Sequence, residues 1–160
     1  MGSDKKNNNK MKILSDLFLT VFYIGKLPIA PGTWSSLFSV TMWFLFFKTT
    51  HPLFLCILTC LLLLIGVLAC NYDFKNSNNH DPSYIVIDEF VGQWFVFLFI
   101  PVNIVNALIG LILFRIFDIS KIGPVGYFER LDRGWGVMAD DVAAGIISFV
   151  ILMSLQPILP

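Results

Sequence analysis

The chain has 160 residues, which is the length of a single domain. Hydrophobic residues make up 56% of the chain and charged residues only 14%, whereas soluble domains carry about 25% charged residues. This composition argues against an ordinary soluble globular protein, and a formal net charge of zero argues against a nucleic-acid-binding surface.

The N-terminal part of the chain is polar and then mixed. Residues 1–12 are rich in Asn and Lys, and we predict a disordered tail there, followed by one domain over residues 13–160. Residues 13–24 mix apolar residues with Ser15, Asp16 and Thr20, which predicts an amphipathic helix lying in the membrane interface. Two prolines and two glycines in residues 25–32 predict a turn, after which Thr33 is well placed to cap the next helix.

Apolar segments dominate the rest of the chain and predict an all-α, polytopic membrane bundle of about four to five membrane helices. The segments are 34–47, 52–70, 85–100, 102–117 and 136–157. Segment 52–70 has 19 residues without a charge and is the clearest membrane helix. The first segment reaches only about 21 Å, against about 30 Å of hydrocarbon, so it spans only if the bilayer thins slightly.

The charged residues predict an orientation for this bundle. If all five segments cross, the N-terminus and the loops 71–83 and 119–135 lie on one side of the membrane. Lys48 alone lies on the other side, so ten of the 11 Lys and Arg residues share the first side. The positive-inside rule makes that side the cytoplasm. All 11 acidic residues lie there as well.

Five of these acids stand at three helix ends. Asp88 and Glu89 begin the third apolar helix, Asp118 ends the fourth, and Asp140 and Asp141 lie in the first turns of the fifth. Carboxylates beside hydrocarbon are costly and repel one another, so a bound cation would stabilise them. Oxygen ligands suit Mg²⁺, which typically binds one or two carboxylates together with a substrate phosphate.

Other polar residues near these ends fit a phosphate-containing substrate. Arg115 and Lys121 share a helix face with Asp118 and can hold a phosphate, although anchoring at the cytoplasmic boundary explains them too. The hydroxyls of Thr33, Ser35 and Ser36 lie where free backbone N–H groups can receive an anion, and an ordinary capping role is the alternative. His80 precedes the third helix and can shuttle a proton, or it is a plain surface residue.

Four blocks of sequence carry a family resemblance. They are Pro31–Leu37 (PGTWSSL), His80–Gly92 (HDPSYIVIDEFVG), Phe114–Lys121 (FRIFDISK) and Gly134–Gly145 (GWGVMADDVAAG). In this order they resemble the phosphatidylglycerophosphatase A family, and they cover most of the chain after residue 25. The family usually has Lys-Pro-Trp-Pro-Ile after the third block, whereas this chain has Lys121-Ile-Gly-Pro-Val125, a departure that leaves the acids intact.

The resemblance implies a Mg²⁺-dependent lipid phosphatase of the bacterial inner membrane, acting on phosphatidylglycerophosphate at the cytoplasmic face. It implies metal ligands at Asp88, Glu89, Asp118, Asp140 and Asp141. We predict catalytic roles for Asp88, Glu89, Asp118, Asp141 and His80, and substrate contacts for Thr33, Arg115 and Lys121. The predicted partners are the bilayer and a membrane phospholipid, and no nucleic acid.

A divalent-cation transporter or channel is the main alternative, since carboxylates near membrane helices also mark ion paths. Such a path requires polar residues at mid-membrane depth, and the centres of the apolar segments are nearly bare of them. A purely structural membrane subunit leaves the clustering of the acids unexplained.

Overall fold

A computed structural model describes residues 2–76 and 83–159 of the chain. The helices are α1 (Gly2–Leu19), α2 (Pro31–Phe46), α3 (Pro52–Asn76), α4 (Ile87–Val96), α5 (Ile104–Ser120), α6 (Val125–Phe128) and α7 (Gly134–Leu155). Short 3₁₀ turns cover Ile24–Lys26 and Gln156–Ile158. The described ranges contain no strand, which confirms the predicted all-α class.

Four of the helices lie where the apolar segments predict them. These are α2, α3, α5 and α7. Helix α3 runs past the predicted end at residue 70 as far as Asn76, because residues 71–76 contain neither Gly nor Pro to stop it. The loop predicted over residues 119–135 contains the single turn α6.

Helix α4 is shorter than the helix predicted for the third crossing over residues 85–100. It has only 10 residues and is therefore about 15 Å long, too short to cross a membrane. The chain leaves the helix after Val96, and Phe99 adopts a positive φ of 62°. All residues of α4 from Phe90 to Val96 are buried, since α7, α2, α3 and α5 surround it. An apolar run looks the same in a buried core helix and in a membrane span, so the pattern alone could not separate them.

Two helical stretches in the described part of the chain are long and apolar enough to cross a membrane. They are Pro52–Lys75 and Gly134–Ile158. Helices α2 and α5 have 16 and 17 residues, about 24 and 26 Å. The predicted total of four to five crossings therefore stays a prediction.

The N-terminal helix also differs from its prediction. Helix α1 continues from Gly2 to Leu19, so the segment predicted as a disordered tail is helical from residue 2 and joins the predicted interfacial helix. That helix ends at Leu19 and not at residue 24. The side chain of Thr20 stabilises the turn that follows the helix, because its hydroxyl accepts a hydrogen bond from the Tyr23 N–H at 3.0 Å.

Small residues fix α4 against its neighbours. On the α2 side, the Ser35 hydroxyl donates to the Val86 carbonyl at 2.6 Å, and the Ser39 hydroxyl donates to the Phe90 carbonyl at 2.7 Å. On the α7 side, a methyl group added to Gly145 would overlap the carbonyl oxygen of Gly92. The backbones of α4 and α7 are therefore in direct contact, and the first turn of α4 is held beside the first turns of α7.

The outer faces of the bundle are strongly apolar. The exposed large apolar side chains on α3 and α5 include Leu53, Phe54, Ile57, Leu61, Leu64, Leu68, Ile104, Leu108, Ile112 and Ile116. Many are three or four residues apart and so form continuous stripes along each helix. Exposed apolar surface of this extent is typical of a protein that contacts lipid or a partner.

Candidate functional site

A cleft at one end of the bundle is lined by the predicted acids together with Thr33, Arg115 and Lys121. It has two lobes. The acid lobe, about 460 Å³, is lined by Gly32, Thr33, Ser83, Asp88, Glu89, Arg115, Asp118, Lys121, Asp140 and Asp141, among others. The outer lobe, about 670 Å³, is lined by Asn71, Lys75, Glu129, Asp132, Arg133 and others. Asp88, Lys121, Val137 and Asp140 line both lobes, which therefore join.

Three of the predicted ligands form a compact cluster in the acid lobe. One carboxylate oxygen each from Asp88, Glu89 and Asp141 lies within 4.8 Å of the other two. The Oε2 atom of Glu89 and the Oδ2 atom of Asp141 are buried and have no hydrogen-bond partner in the described part of the chain. Buried carboxylate oxygens without a donor are costly, and a divalent cation would satisfy them. The donor set thus fits a metal ion, with oxygen ligands of the kind that Mg²⁺ prefers.

The other two predicted ligands lie at the edge of this cluster, each beside a cation. The Arg115 guanidinium contacts the Asp118 carboxylate at 2.7 Å, one helical turn away on α5. Lys121, at the end of α5, pairs with Asp140 on α7. The structure thus brings all five acids into one lobe, three in the cluster and two in ion pairs.

The electrostatics of the lobe favour bound positive charge. Burial raises the pKa of Asp88, and the neighbouring Glu89 and Asp141 carboxylates raise it further. Partial burial alone would lower the pKa of Lys121, but the hydrogen bond and attraction from Asp140 outweigh this effect and the net shift is upward. Lys121 therefore stays charged at neutral pH. Burial raises the pKa of Glu89 in the cluster, and the attraction from the nearby Arg115 guanidinium only partly offsets this rise.

Two residues in the first turns of α2 position this lobe: Gly32, to which the sequence assigned no role, and Ser36, one of the predicted anion-binding hydroxyls. A methyl group on Gly32 would overlap the Glu89 Oε1 atom, so the first turn of α2 approaches Glu89 closely only because residue 32 is glycine. Ser36, one turn later, accepts a hydrogen bond from Arg115 Nη1 at 3.4 Å and donates to the Gly32 carbonyl at 3.0 Å. The contact of Ser36 with Arg115 was not predicted, because it joins two helices that are distant in the sequence.

The predicted capping role of Thr33 is wrong. Helix α2 begins at Pro31 and its N-cap is Ala30, in a left-handed conformation with φ 47°. Proline is favoured at the first helical position because it has no N–H to satisfy there, and this moves the helix start upstream of Thr33. Thr33 is instead exposed in the first turn and lines the acid lobe.

His80 lies outside the described residues, so its catalytic role stays a prediction. The residues just before α4 are held by two hydrogen bonds. The Tyr84 hydroxyl donates to Asp73 Oδ2 on α3 at 2.8 Å, and the Val86 N–H donates to the Leu19 carbonyl at 2.9 Å. The segment that leads into Asp88 is thereby tied to both α1 and α3.

Comparisons with known proteins give one consistent family. Residues 17–156 match the family model described as phosphatidylglycerophosphatase A. A phosphatidylglycerophosphatase A from Escherichia coli is 37% identical over 150 residues, which cover 92% of this chain and 86% of that protein. One from Haemophilus influenzae is 35% identical over 156 residues, covering 93% and 96%. A Bacteroides thetaiotaomicron protein, named as a candidate phosphatidylinositol-3-phosphatase, is 36% identical over 140 residues, covering 83% and 87%. No solved structure matches the chain.

Proposed function

Because this chain belongs to the phosphatidylglycerophosphatase A family, we propose that it hydrolyses phosphatidylglycerophosphate to phosphatidylglycerol and inorganic phosphate. It is a phosphatase, and so a phosphoric monoester hydrolase. The observation that carries the proposal is the cluster of Asp88, Glu89 and Asp141, which lies in one lobe with Arg115 and Lys121. Clustered carboxylates and nearby cations are what a metal-assisted phosphatase requires.

Mg²⁺ is the proposed cofactor, and Asp88, Glu89 and Asp141 would hold it. When bound, Mg²⁺ would neutralise phosphate charge and lower the pKa of a bound water. Asp118 and Asp140 are close enough to the cluster to join or support it, as the family resemblance implies. Their present partners, Arg115 and Lys121, give them a second role in orienting the two cations.

Other residues are proposed to bind the phosphate and to transfer a proton. Arg115 is held by Asp118 and Ser36 and can offer the rest of its guanidinium to phosphate oxygens as charge-assisted hydrogen bonds. Lys121 stays cationic beside the same site. Thr33 contributes a hydroxyl at the N-terminus of α2, where free N–H groups favour an anion. His80 is the proposed proton shuttle for the leaving alcohol.

An assay of phosphate release tests the proposal. The full chain in detergent micelles is given phosphatidylglycerophosphate, phosphatidylinositol 3-phosphate and phosphatidate, each with Mg²⁺ and with a chelator. We expect release from phosphatidylglycerophosphate that requires Mg²⁺. The alternative function, a divalent-cation transporter or channel, instead predicts ion flux in vesicles and no phosphate release.

The apolar faces of α3 and α5 and the two long apolar stretches support placement in the bacterial inner membrane. The distribution of Lys and Arg supports a cytoplasmic cleft. We expect a Tyr127→Cys variant, in a background without Cys56, Cys60 and Cys70, to react with a membrane-impermeant thiol reagent only after the cells are opened. Tyr127 is 68% exposed, so the site is reachable. Labelling of intact cells would contradict a cytoplasmic cleft.

The role of Thr33 in substrate binding is tested by Thr33→Val. The change removes a hydroxyl from the acid lobe and leaves the cap at Ala30 intact, so KM is expected to rise by up to about tenfold with little change in kcat. Thr41→Val is the matched control, because Thr41 is exposed in the same helix and its hydroxyl donates only to the Leu37 carbonyl. If Thr33→Val and Thr41→Val have the same KM and kcat, Thr33 does not bind the substrate.

A further inference from the structure

The outer lobe contains two cations that the chemistry in the acid lobe does not use. Lys75, near the end of α3, and Arg133, directly before α7, both line this lobe and are exposed. Neither forms an ion pair with a side chain in the ranges 10–75 and 83–159. The lobe also contains Glu129, which lies 3.8 Å from Lys121, and Asp132.

A hydrogen bond between two helices holds these two cations close together beside the outer lobe. The Gly134 N–H donates to Asn71 Oδ1 at 3.0 Å and so joins the start of α7 to the end of α3. Lys75 follows Asn71 by one helical turn and lies on the same face. Arg133 directly precedes Gly134, so both cations flank this hydrogen bond.

Arg133 also has an unusual backbone. Its φ of 56° and ψ of −136° are rarely adopted by a residue with a side chain. Such a conformation costs on the order of 1–3 kcal/mol and is retained mainly at functional sites. It places an arginine, and not the glycine that this conformation favours, at the entrance to the lobe.

The two lobes join along Asp88, Lys121 and Asp140, so one molecule can occupy both. The proposed substrate carries two phosphates, a terminal monoester and the phosphodiester that leads to the diacylglycerol, with one glycerol between them. We propose that Lys75 and Arg133 bind this phosphodiester while the monoester lies in the acid lobe. The inference rests on the proposed function. The outer lobe would then make the enzyme selective for lipids that contain a phosphodiester over phosphatidate, whose only phosphate is a monoester.

The test compares two lipids in the double variant Lys75→Gln/Arg133→Gln. The kcat/KM is measured for phosphatidylglycerophosphate and for phosphatidate in the same micelles at the same Mg²⁺ concentration. Each lost charge-assisted hydrogen bond is worth about tenfold. We therefore expect a loss of about 10-fold to 100-fold for phosphatidylglycerophosphate, mostly in KM, and no change for phosphatidate. The charge-retaining variant Lys75→Arg/Arg133→Lys should restore most of the loss.

Matched controls are Lys48→Gln, at the other end of the bundle, and Arg130→Gln, which is exposed in the same loop as Arg133 but does not line the lobe. Both should leave the two substrates unchanged. Equal losses for both lipids in the double variant, or no loss for either, would overturn the phosphodiester site while the phosphatase proposal stands. A wild-type chain that releases phosphate from neither lipid would overturn the proposed function and this inference together.

Discussion

Replacing Asp141 by Asn is expected to lower Mg²⁺-dependent phosphate release by at least about 10-fold to 100-fold, the range seen even for residues that only support a metal ligand. Asp141 belongs to the cluster with Asp88 and Glu89, and its Oδ2 atom is buried without a partner in the described structure. The change keeps the shape of the side chain and removes the charge. Rates are measured over a Mg²⁺ titration, and we expect the half-saturating concentration to rise as kcat falls.

Stability provides a second readout for the same change. Without Mg²⁺ the variant should be at least as stable as the wild type, because one of three clustered, mutually repelling carboxylates is gone. Added Mg²⁺ should raise the melting temperature of the wild type and have little effect on the variant. Asp16→Asn is the control, since Asp16 pairs with Lys26 away from the cleft. Full Mg²⁺-dependent activity in both Asp88→Asn and Asp141→Asn would show that the shared metal site is wrong.

Replacing Gly32 by Ala is expected to reduce activity strongly without unfolding the protein. The added methyl group would overlap Glu89 Oε1, so the carboxylate must move away from the cluster. A displacement of about 1 Å at a reacting centre can cost about 100-fold in rate. The helix itself gains from the change, because Ala is favoured over Gly in a helix by about 1 kcal/mol. Activity and melting temperature are therefore expected to change independently.

Gly66→Ala is the matched control for this prediction. Gly66 is also a buried helical glycine, but a methyl group there would meet only the end of the Met138 side chain, 2.7 Å from Cε. That flexible end can turn aside at small cost, so activity should be retained. If Gly32→Ala is as active as Gly66→Ala, Glu89 is not held in its working position by α2.

The sequence predicts the fold class and the common end of the acids because both follow from local patterns. Apolar runs mark the helices, and acids at helix ends meet when helices pack antiparallel. The burial of α4 inside the bundle could not be predicted in this way. Its residues are apolar because they pack against other helices, and not because they contact lipid. The run 85–100 contains no local signal that the helix ends at Val96.

Local sequence patterns also could not predict which of the five acids form the cluster and which form ion pairs. The pair Arg115–Asp118 lies within one turn, and its spacing predicted a shared face. The pair Lys121–Asp140 joins two helices and appears only after α5 and α7 are packed. The close approach of Gly32 to Glu89 is likewise a contact between distant segments, and residue type alone indicated a turn there.

The short length of α4 has a consequence for how the protein is made. A ten-residue helix with two acids in its first turn is a poor substrate for insertion on its own, because it neither spans the bilayer nor satisfies its ends there. It packs against α7 at Gly92, and α7 follows α4 and α5 in the chain and is therefore synthesised after them. Chains that stop before α7 would therefore carry α3 in the bilayer but no assembled cleft. The candidate site at this end of the bundle is completed only after α7 has been synthesised.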